Sequence, residues 1–155
     1  MTTAQPLLVL LKFELLFHKR MKHFTLEELT RSATARRKGI PNLPNGEEKE
    51  NLTALVDNVL DPLRELWGAP IIVTSGYRCA RLNRLVGGAA GSQHMKGQAA
   101  DIRTVANTTM ENKRLFDLAA KSGLPFDQLI DEYGYNWLHI SFNKKGNRKQ
   151  ILHIR

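Results

Sequence analysis

The sequence predicts an α+β domain in which an antiparallel β-sheet packs against helices from the N-terminal half. Two observations lead to this prediction. A long helical pattern of apolar residues covers positions 52–67, and short runs typical of strands are concentrated after residue 70. Helices that come mainly first, followed by strands, are typical of the α+β class.

The first helices are predicted from a capping motif and from the spacing of apolar residues. Thr25 and Glu28 have the spacing of a capping box, so a helix is expected to begin near Thr25. Residues 36–45 contain glycine and prolines and are expected to form a loop. Within 52–67 the apolar residues recur three or four positions apart and form one stripe. Pro62 is expected to interrupt this helix, with Asp61 capping its second part.

The rest of the chain is predicted to contain most of the sheet. The expected strands cover residues 71–74, 99–103, 128–131, 137–142 and 150–154. A short helix is expected at 82–86, and a longer one follows Thr108, which forms a second capping box with Glu111. Gly146 and Asn147 are typical of a hairpin turn, which predicts that the last two strands pair with each other.

Composition limits the class of protein without choosing a function. The 155 residues suit one compact domain. The single cysteine, Cys79, excludes an internal disulfide. Lysine and arginine outnumber aspartate and glutamate by 23 to 15, which gives a net charge of +8. This charge favours an anionic partner, such as nucleic acid, a lipid surface or an acidic wall polymer.

Residues 1–21 are expected to form an extension outside a domain that covers residues 22–155. The apolar stretch from Leu7 to Phe17 is interrupted by Lys12 and Glu14, so it is too short and too charged to span a membrane. Its basic residues follow the apolar stretch, whereas those of a secretory signal precede it. An amphipathic helix at a membrane surface is the alternative interpretation.

His94 and Asp101 have the surroundings of metal ligands. His94 lies in a predicted loop, and Asp101 follows seven residues later in the strand that this loop enters. Gly97 lies between them and allows the backbone to turn sharply. The two side chains can therefore converge on one point, although this spacing is also compatible with hydrogen-bonded structural residues.

His139 is the third candidate ligand. In a strand over 137–142, alternation places Trp137, His139 and Ser141 on one face and the apolar residues between them in the core. Two histidines with one carboxylate are a recognised zinc set that leaves one coordination position for water.

Two segments carry a longer pattern, Ser92-x-His94-x-x-Gly97-x-Ala99-x-Asp101 and Trp137-x-His139. The pattern resembles the signature of the zinc D-alanyl-D-alanine carboxypeptidase family, which also includes peptidoglycan L,D-endopeptidases, phage endolysins and, more distantly, hedgehog signalling domains. Further segments similar to its single-domain branch occur at residues 24–29, 73–78, 82–83, 86–88 and 126–132. The resemblance covers about residues 22–155. It implies that His94, Asp101 and His139 bind one zinc ion per chain.

The resemblance also implies a general base close to the last ligand. Family members carry an acidic residue upstream of that histidine, in some of them three positions before it, where this chain has Asn136. An asparagine side chain cannot act as this base, so the resemblance favours Glu132, with Asp131 as the alternative. Adjacent strand residues face opposite sides, so only one of the two can face the metal.

Three further residues receive expected roles from the resemblance. Arg78 is expected to bind the scissile carbonyl oxygen as it becomes anionic, or a substrate carboxylate. Ser92 is expected to orient a ligand or a substrate group, and Trp137 to line the site.

The expected function is therefore zinc-dependent hydrolysis of a peptide bond in the peptidoglycan stem. The cleaved bond, the export route and a bacterial or phage origin are left open, and a monomer without a stable membrane span is expected. One alternative is an inactive module that only binds the cell wall. The other is a basic nucleic-acid-binding protein, which is not favoured because the basic residues are scattered and accompany no recognition motif.

Overall fold

A computed structural model describes residues 20–155 of the chain. The expectations about the apolar stretch 7–17 lie outside the described residues. The helices are α1 (Leu26–Thr30), α2 (Ala33–Arg37), α3 (Gly46–Leu55), α4 (Asp61–Trp67), α5 (Ala80–Leu85) and α6 (Thr109–Lys121). The strands are β1 (Ile71–Ser75), β2 (Ala99–Thr104), β3 (Gln128–Glu132), β4 (Trp137–Ser141) and β5 (Gln150–Ile154).

Side-chain caps start the first helices. The predicted capping box of α1 is confirmed, because Thr25 Oγ1 accepts the Glu28 N–H while the Glu28 carboxylate accepts the Thr25 N–H. The Ser32 side chain caps α2 by accepting the Ala35 N–H, and Asn45 forms a second capping box with Glu48 at the start of α3. The helix α2 overlaps the beginning of the predicted loop and was not expected.

The predicted long helix is present and is continuous. A π-helical turn, Val56–Leu60, joins α3 to α4. Pro62 lies in the first turn of α4, where its missing N–H needs no acceptor, so the helix continues through it. The predicted cap by Asp61 is wrong. Its carboxylate instead accepts the backbone N–H groups of Lys22 and His23, which attaches the segment before α1 to this helix.

The strands form one mixed sheet in the order β1-β2-β4-β3-β5. Every neighbouring pair is antiparallel except β3 and β5, which are parallel. The predicted hairpin between β4 and β5 is therefore wrong. Both edges of β4 are occupied, by β2 and β3, so the chain turns through Gly146 and continues to the free edge of β3.

One face of the sheet forms the hydrophobic core. Its buried residues include Ala100, Ile102, Leu129, Leu138 and Ile140. They belong to the same cluster as Leu52 and Leu55 of α3, Leu63 of α4 and Leu115 of α6. This arrangement confirms the α+β fold and the packing of the N-terminal helices against the sheet. The later helix α6 packs into the same core. The opposite face is left for polar side chains.

A β-bulge in β1 changes which residues share that second face. Val73 pairs with Ile102, but Ser75 pairs with Asp101, so Thr74 is the extra residue. A bulge of this kind turns the following side chain to the other side of the sheet. Ser75 consequently lies on the same face as Asp101. Among residues 20–155, no helix is long and apolar enough to cross a bilayer.

Candidate metal centre

Three buried side chains from different elements meet on the polar face of the sheet. They are His94 from a 3₁₀ turn (Gln93–Lys96), Asp101 from β2 and His139 from β4. The distance is 3.2 Å between His94 Nε2 and Asp101 Oδ1, between His94 Nε2 and His139 Nδ1, and between His139 Nδ1 and Asp101 Oδ1. The structure thus brings the three predicted ligands together in a nearly equilateral triangle of donor atoms.

The dimensions of this triangle fit a zinc ion. Ligand atoms that lie roughly 2.0–2.2 Å from a tetrahedral ion are about 3.3–3.6 Å apart. The observed separations are close to this range, and the donor set of two imidazoles and one carboxylate is one that zinc prefers. Within residues 20–155 the cluster contains these three groups and no fourth protein ligand. A catalytic zinc site has this composition, whereas a structural one is closed by a fourth ligand.

A backbone carbonyl fixes the orientation of His94. Its Nδ1 lies 2.7 Å from the carbonyl oxygen of Gly76, which can only accept, so Nδ1 carries a proton and Nε2 is directed at Asp101 and His139. Gly76 can approach this closely because it lacks a side chain. A Cβ atom there would lie 2.1 Å from the carbonyl oxygen of Leu29.

The position of His139 is fixed by strand register. In β4 it lies opposite Asp101 of β2 on one side and opposite Ile130 of β3 on the other. Opposite residues in antiparallel strands share a face, which explains why Asp101 and His139 project together. The predicted alternation in this strand is confirmed, with Leu138 and Ile140 in the core.

Asp101 is the centre of the electrostatics of this cluster. Burial raises the pKa of its carboxyl, but the charge of His94 and hydrogen bonds from both histidines outweigh this effect, so that the pKa lies below its ordinary value. The second oxygen, Oδ2, accepts a hydrogen bond of 3.0 Å from Arg78 Nη2. Asp101 is therefore ionised at neutral pH and is oriented from both sides.

Arg78 is bound to the protein at three of its nitrogens. Besides Asp101, its guanidinium donates from Nε to Ser75 Oγ at 2.9 Å and from Nη1 to Asn83 Oδ1 at 3.5 Å. The side chain is only 16% exposed. The structure therefore brings Arg78 to the predicted site, and it places the guanidinium against a ligand carboxylate.

The turn that carries His94 is held by Ser92 and Gly97. Ser92 Oγ accepts the backbone N–H of His94, so Ser92 acts on a ligand through its backbone. Gly97 ends the turn in the left-handed conformation, with φ of +68°. A Cβ atom at Gly97 would lie 2.4 Å from the carbonyl oxygen of Glu48 in α3.

Glu132 lies beside the ligands, on the same face. It pairs with Trp137, two residues before His139 in β4, and both side chains line a pocket of about 470 Å³ that also contains the three ligands. Burial raises the pKa of Glu132, and the nearby charge of Asp101 adds to this effect. The strands β3 and β4 form a hairpin around residues 133–136, which places Glu132 opposite Trp137. Both side chains therefore lie on the same face as His139.

Asp131 faces the opposite side of the sheet. Its carboxylate is fully buried and accepts hydrogen bonds from the Tyr135 N–H, from His153 Nδ1 at 3.1 Å and from Arg155 Nη1 at 2.8 Å. These contacts attach β5 and the end of the chain to β3. Of the two adjacent carboxylates, only Glu132 faces the ligand cluster. Asn136 is exposed and does not line the pocket.

A second network supports the cluster and was not predicted from the sequence. Gln93, the neighbour of His94, donates to Asp127 Oδ2 at 2.9 Å, and Arg148 donates to the same carboxylate through Nε and Nη2. The hydrogen bonds from Arg148 lower the pKa of Asp127 to about 2. Ser75 and Asn83, which hold Arg78, were also not predicted as site residues. Both lie in segments that resemble the family, residues 73–78 and 82–83, and this was the available signal.

The comparisons with known proteins agree with this geometry. A family model described as Peptidase M15 matches residues 22–141, a range that contains all three ligands, Arg78 and Glu132. No curated protein matches the chain. The match covers well over half of the 155 residues and includes every element from α1 to β4. The chain belongs to the peptidase M15 family.

Proposed function

We propose that this protein is a zinc-dependent peptidase that hydrolyses a peptide bond in the peptidoglycan stem. The observation that carries the proposal is the triangle of His94, Asp101 and His139 beside the half-buried carboxylate of Glu132, all in one open pocket. The membership of the peptidase M15 family supports peptide hydrolysis. The net charge of +8 suits an anionic wall polymer.

His94, Asp101 and His139 would hold the metal ion. A zinc ion bound there supplies Lewis acidity, which makes a water molecule a nucleophile near neutral pH and polarises the scissile carbonyl. The protein side of the reaction rests on Glu132. Its carboxylate takes a proton from the attacking water and then donates it to the departing amine. The raised pKa of Glu132 suits both steps, because a base that must later act as an acid works best when its pKa is close to the working pH.

Arg78 has a positioning part in this proposal. Its contact with Asp101 Oδ2 leaves Oδ1 directed at the two histidines. A ligand carboxylate that is hydrogen-bonded in this way has a fixed orientation, and loss of such a partner usually weakens metal binding. The guanidinium also lines the pocket, where it adds a positive charge next to the carbonyl that is attacked.

The test is digestion of purified peptidoglycan by the full chain, with the released fragments identified by mass spectrometry. We expect new amino and carboxyl termini within the stem peptide, and one zinc ion per chain by metal analysis. The variant His139→Ala should lose both the cleavage and the zinc. Retention on peptidoglycan without released fragments would instead support the alternative of a wall-binding module. If the protein binds zinc but cleaves no stem peptide, the proposed substrate is wrong.

A further inference from the structure

A second, larger cavity lies next to the metal pocket. It has a volume of about 770 Å³ and is bounded by the segment from α1 to α2, by α5 and by the end of β1. Arg78 and Val86 line both this cavity and the metal pocket. The two cavities therefore adjoin at Arg78.

The larger cavity has an apolar floor and polar walls. Ile40 and Leu82 are buried beneath it, and they pack together in a small cluster of their own. The polar residues Ser32, Thr34 and Thr74 also line it. A pocket with an apolar floor and a few polar groups is typical of sites that bind an organic ligand of defined orientation.

Among the residues that line the larger cavity, positive charges outnumber negative ones. Arg31 and Arg36 line it, and within residues 20–155 neither guanidinium lies within 4.0 Å of a carboxylate. The charge of Arg78 is already matched by Asp101. Glu27 is the one carboxylate among the described residues that line the cavity. Two arginines therefore face one glutamate, which leaves a site with a preference for anions.

We propose that this cavity binds an acidic segment of the peptide substrate, on one side of the scissile bond. The peptide crosses Arg78 from the metal centre, and a side-chain or α-carboxylate of the segment pairs with Arg31 or Arg36. The inference rests on the proposed function, because it extends the same substrate from the metal pocket. It means that the enzyme selects peptides long enough to reach the far cavity, and that it selects them by charge.

The experiment compares charge-reversed variants on two matched peptides. One probe is a synthetic stem pentapeptide with free carboxylates, and the other is the same peptide with all of its carboxylates amidated. Full-length Arg31→Glu and Arg36→Glu are compared with Lys38→Glu, which makes the same change of charge at a neighbouring residue that does not line the cavity; all three side chains are exposed. Binding is measured by calorimetry in the zinc-loaded Glu132→Gln background, and wild-type cleavage of peptidoglycan is measured in parallel.

We expect the free-carboxylate peptide to bind about two- to fivefold more tightly than the amidated one, since one ion pair in an exposed site contributes up to about 1 kcal/mol. Arg31→Glu and Arg36→Glu should each reduce this difference, and Lys38→Glu should preserve it. Equal binding of the two peptides, or equal effects of all three variants, would overturn the inference while wild-type cleavage still supported the proposed function. Absence of wild-type cleavage would overturn the proposed function and this inference with it.

Discussion

At the scale of single residues, two adjacent carboxylates have opposite environments. Asp131 is fully buried on the core face and accepts three hydrogen bonds, two of them from basic side chains. Glu132 is half-buried on the pocket face, and burial and Asp101 raise its pKa. The first is therefore suited to hold β5 in place, and the second to exchange a proton. Alternation along a strand separates these two roles by a single position.

Glu132→Gln should separate catalysis from metal binding and from folding. The amide has nearly the same shape but cannot accept the proton, so kcat should fall at least about a hundredfold. Zinc content and the midpoint of thermal unfolding should be close to those of the wild type. Steady-state kinetics, metal analysis and a thermal melt on one preparation check the three expectations.

Asp131→Asn is the matched comparison for that variant. It keeps the shape of the side chain but removes the charge that faces His153 and Arg155, so the free energy of unfolding should fall by about 1–3 kcal/mol. The kcat of the folded fraction should change little. If Asp131→Asn abolishes turnover and Glu132→Gln is mild, the base has been assigned to the wrong residue.

Arg78→Ala should weaken zinc binding as well as turnover. The substitution leaves Asp101 Oδ2 without its partner, and loss of such a contact typically costs about 10–100-fold in metal affinity. Arg78→Lys should restore little, because an ammonium group cannot contact Asp101 and Ser75 with the planar geometry of a guanidinium. Competition with a chromogenic chelator measures the affinity, with Arg84→Ala, an exposed arginine of α5, as the control. If turnover is lost while zinc affinity is unchanged, Arg78 acts on the substrate and not on the metal centre.

At the scale of elements, the site depends on how closely α3 approaches the turn that carries His94. Asn51 of α3 donates to the carbonyl oxygen of Lys96, and the backbone of Gly97 lies against that of Glu48. No side chain fits between them. A helix of the core thus supports the turn of His94 directly, through a side-chain hydrogen bond and a close backbone approach, and not only through apolar packing.

Gly97→Ala should therefore disturb both stability and metal binding. The added Cβ would lie 2.4 Å from the Glu48 oxygen in a left-handed backbone, so the turn or α3 must move. We expect a loss of at least about 2 kcal/mol in the free energy of unfolding, together with weaker zinc binding. Gly91→Ala is the control, because a Cβ there meets nothing within 4 Å. Equal urea midpoints for the two variants would show that this contact is not critical.

The structure also shows which elements local sequence signals can predict. The cap at Thr25, the stripe of α3 and α4 and the positions of all five described strands depend on nearby residues, and they were predicted to within a few residues. The pairing of β5 was not predicted correctly, because Gly146 and Asn147 indicate only that the chain turns there. The partner of β5 is decided by which strand edge is free, and this depends on the whole sheet.

At the scale of the whole molecule, the cluster of His94, Asp101 and His139 was predictable from the sequence, but the contacts that support it were not. The motif around His94 and Asp101 is contiguous and resembles a family signature, so the sequence carried it. The contacts of Arg78 with Asp101, and of Gln93 with Asp127, join residues that are 23 and 34 positions apart. No spacing rule covers such pairs. The first lies beside the bulge in β1, which brings Ser75 to the same face, and the second joins the 3₁₀ turn of His94 to the residue before β3.

The three candidate ligands connect separate parts of the domain, so zinc bound to them should stabilise the whole fold. The 3₁₀ turn of His94 and the strands of Asp101 and His139 come together at the metal centre, and a ligand that binds only the folded state raises its stability. Free zinc at a hundred times its Kd should add about 2.7 kcal/mol, or about 5–10 °C in Tm. The measurement is a thermal melt of chelator-treated protein before and after zinc is added. His94→Ala should lose this zinc-dependent shift, whatever its own Tm. A shift of the same size in His94→Ala would place the stabilising zinc at other residues and contradict the assigned centre.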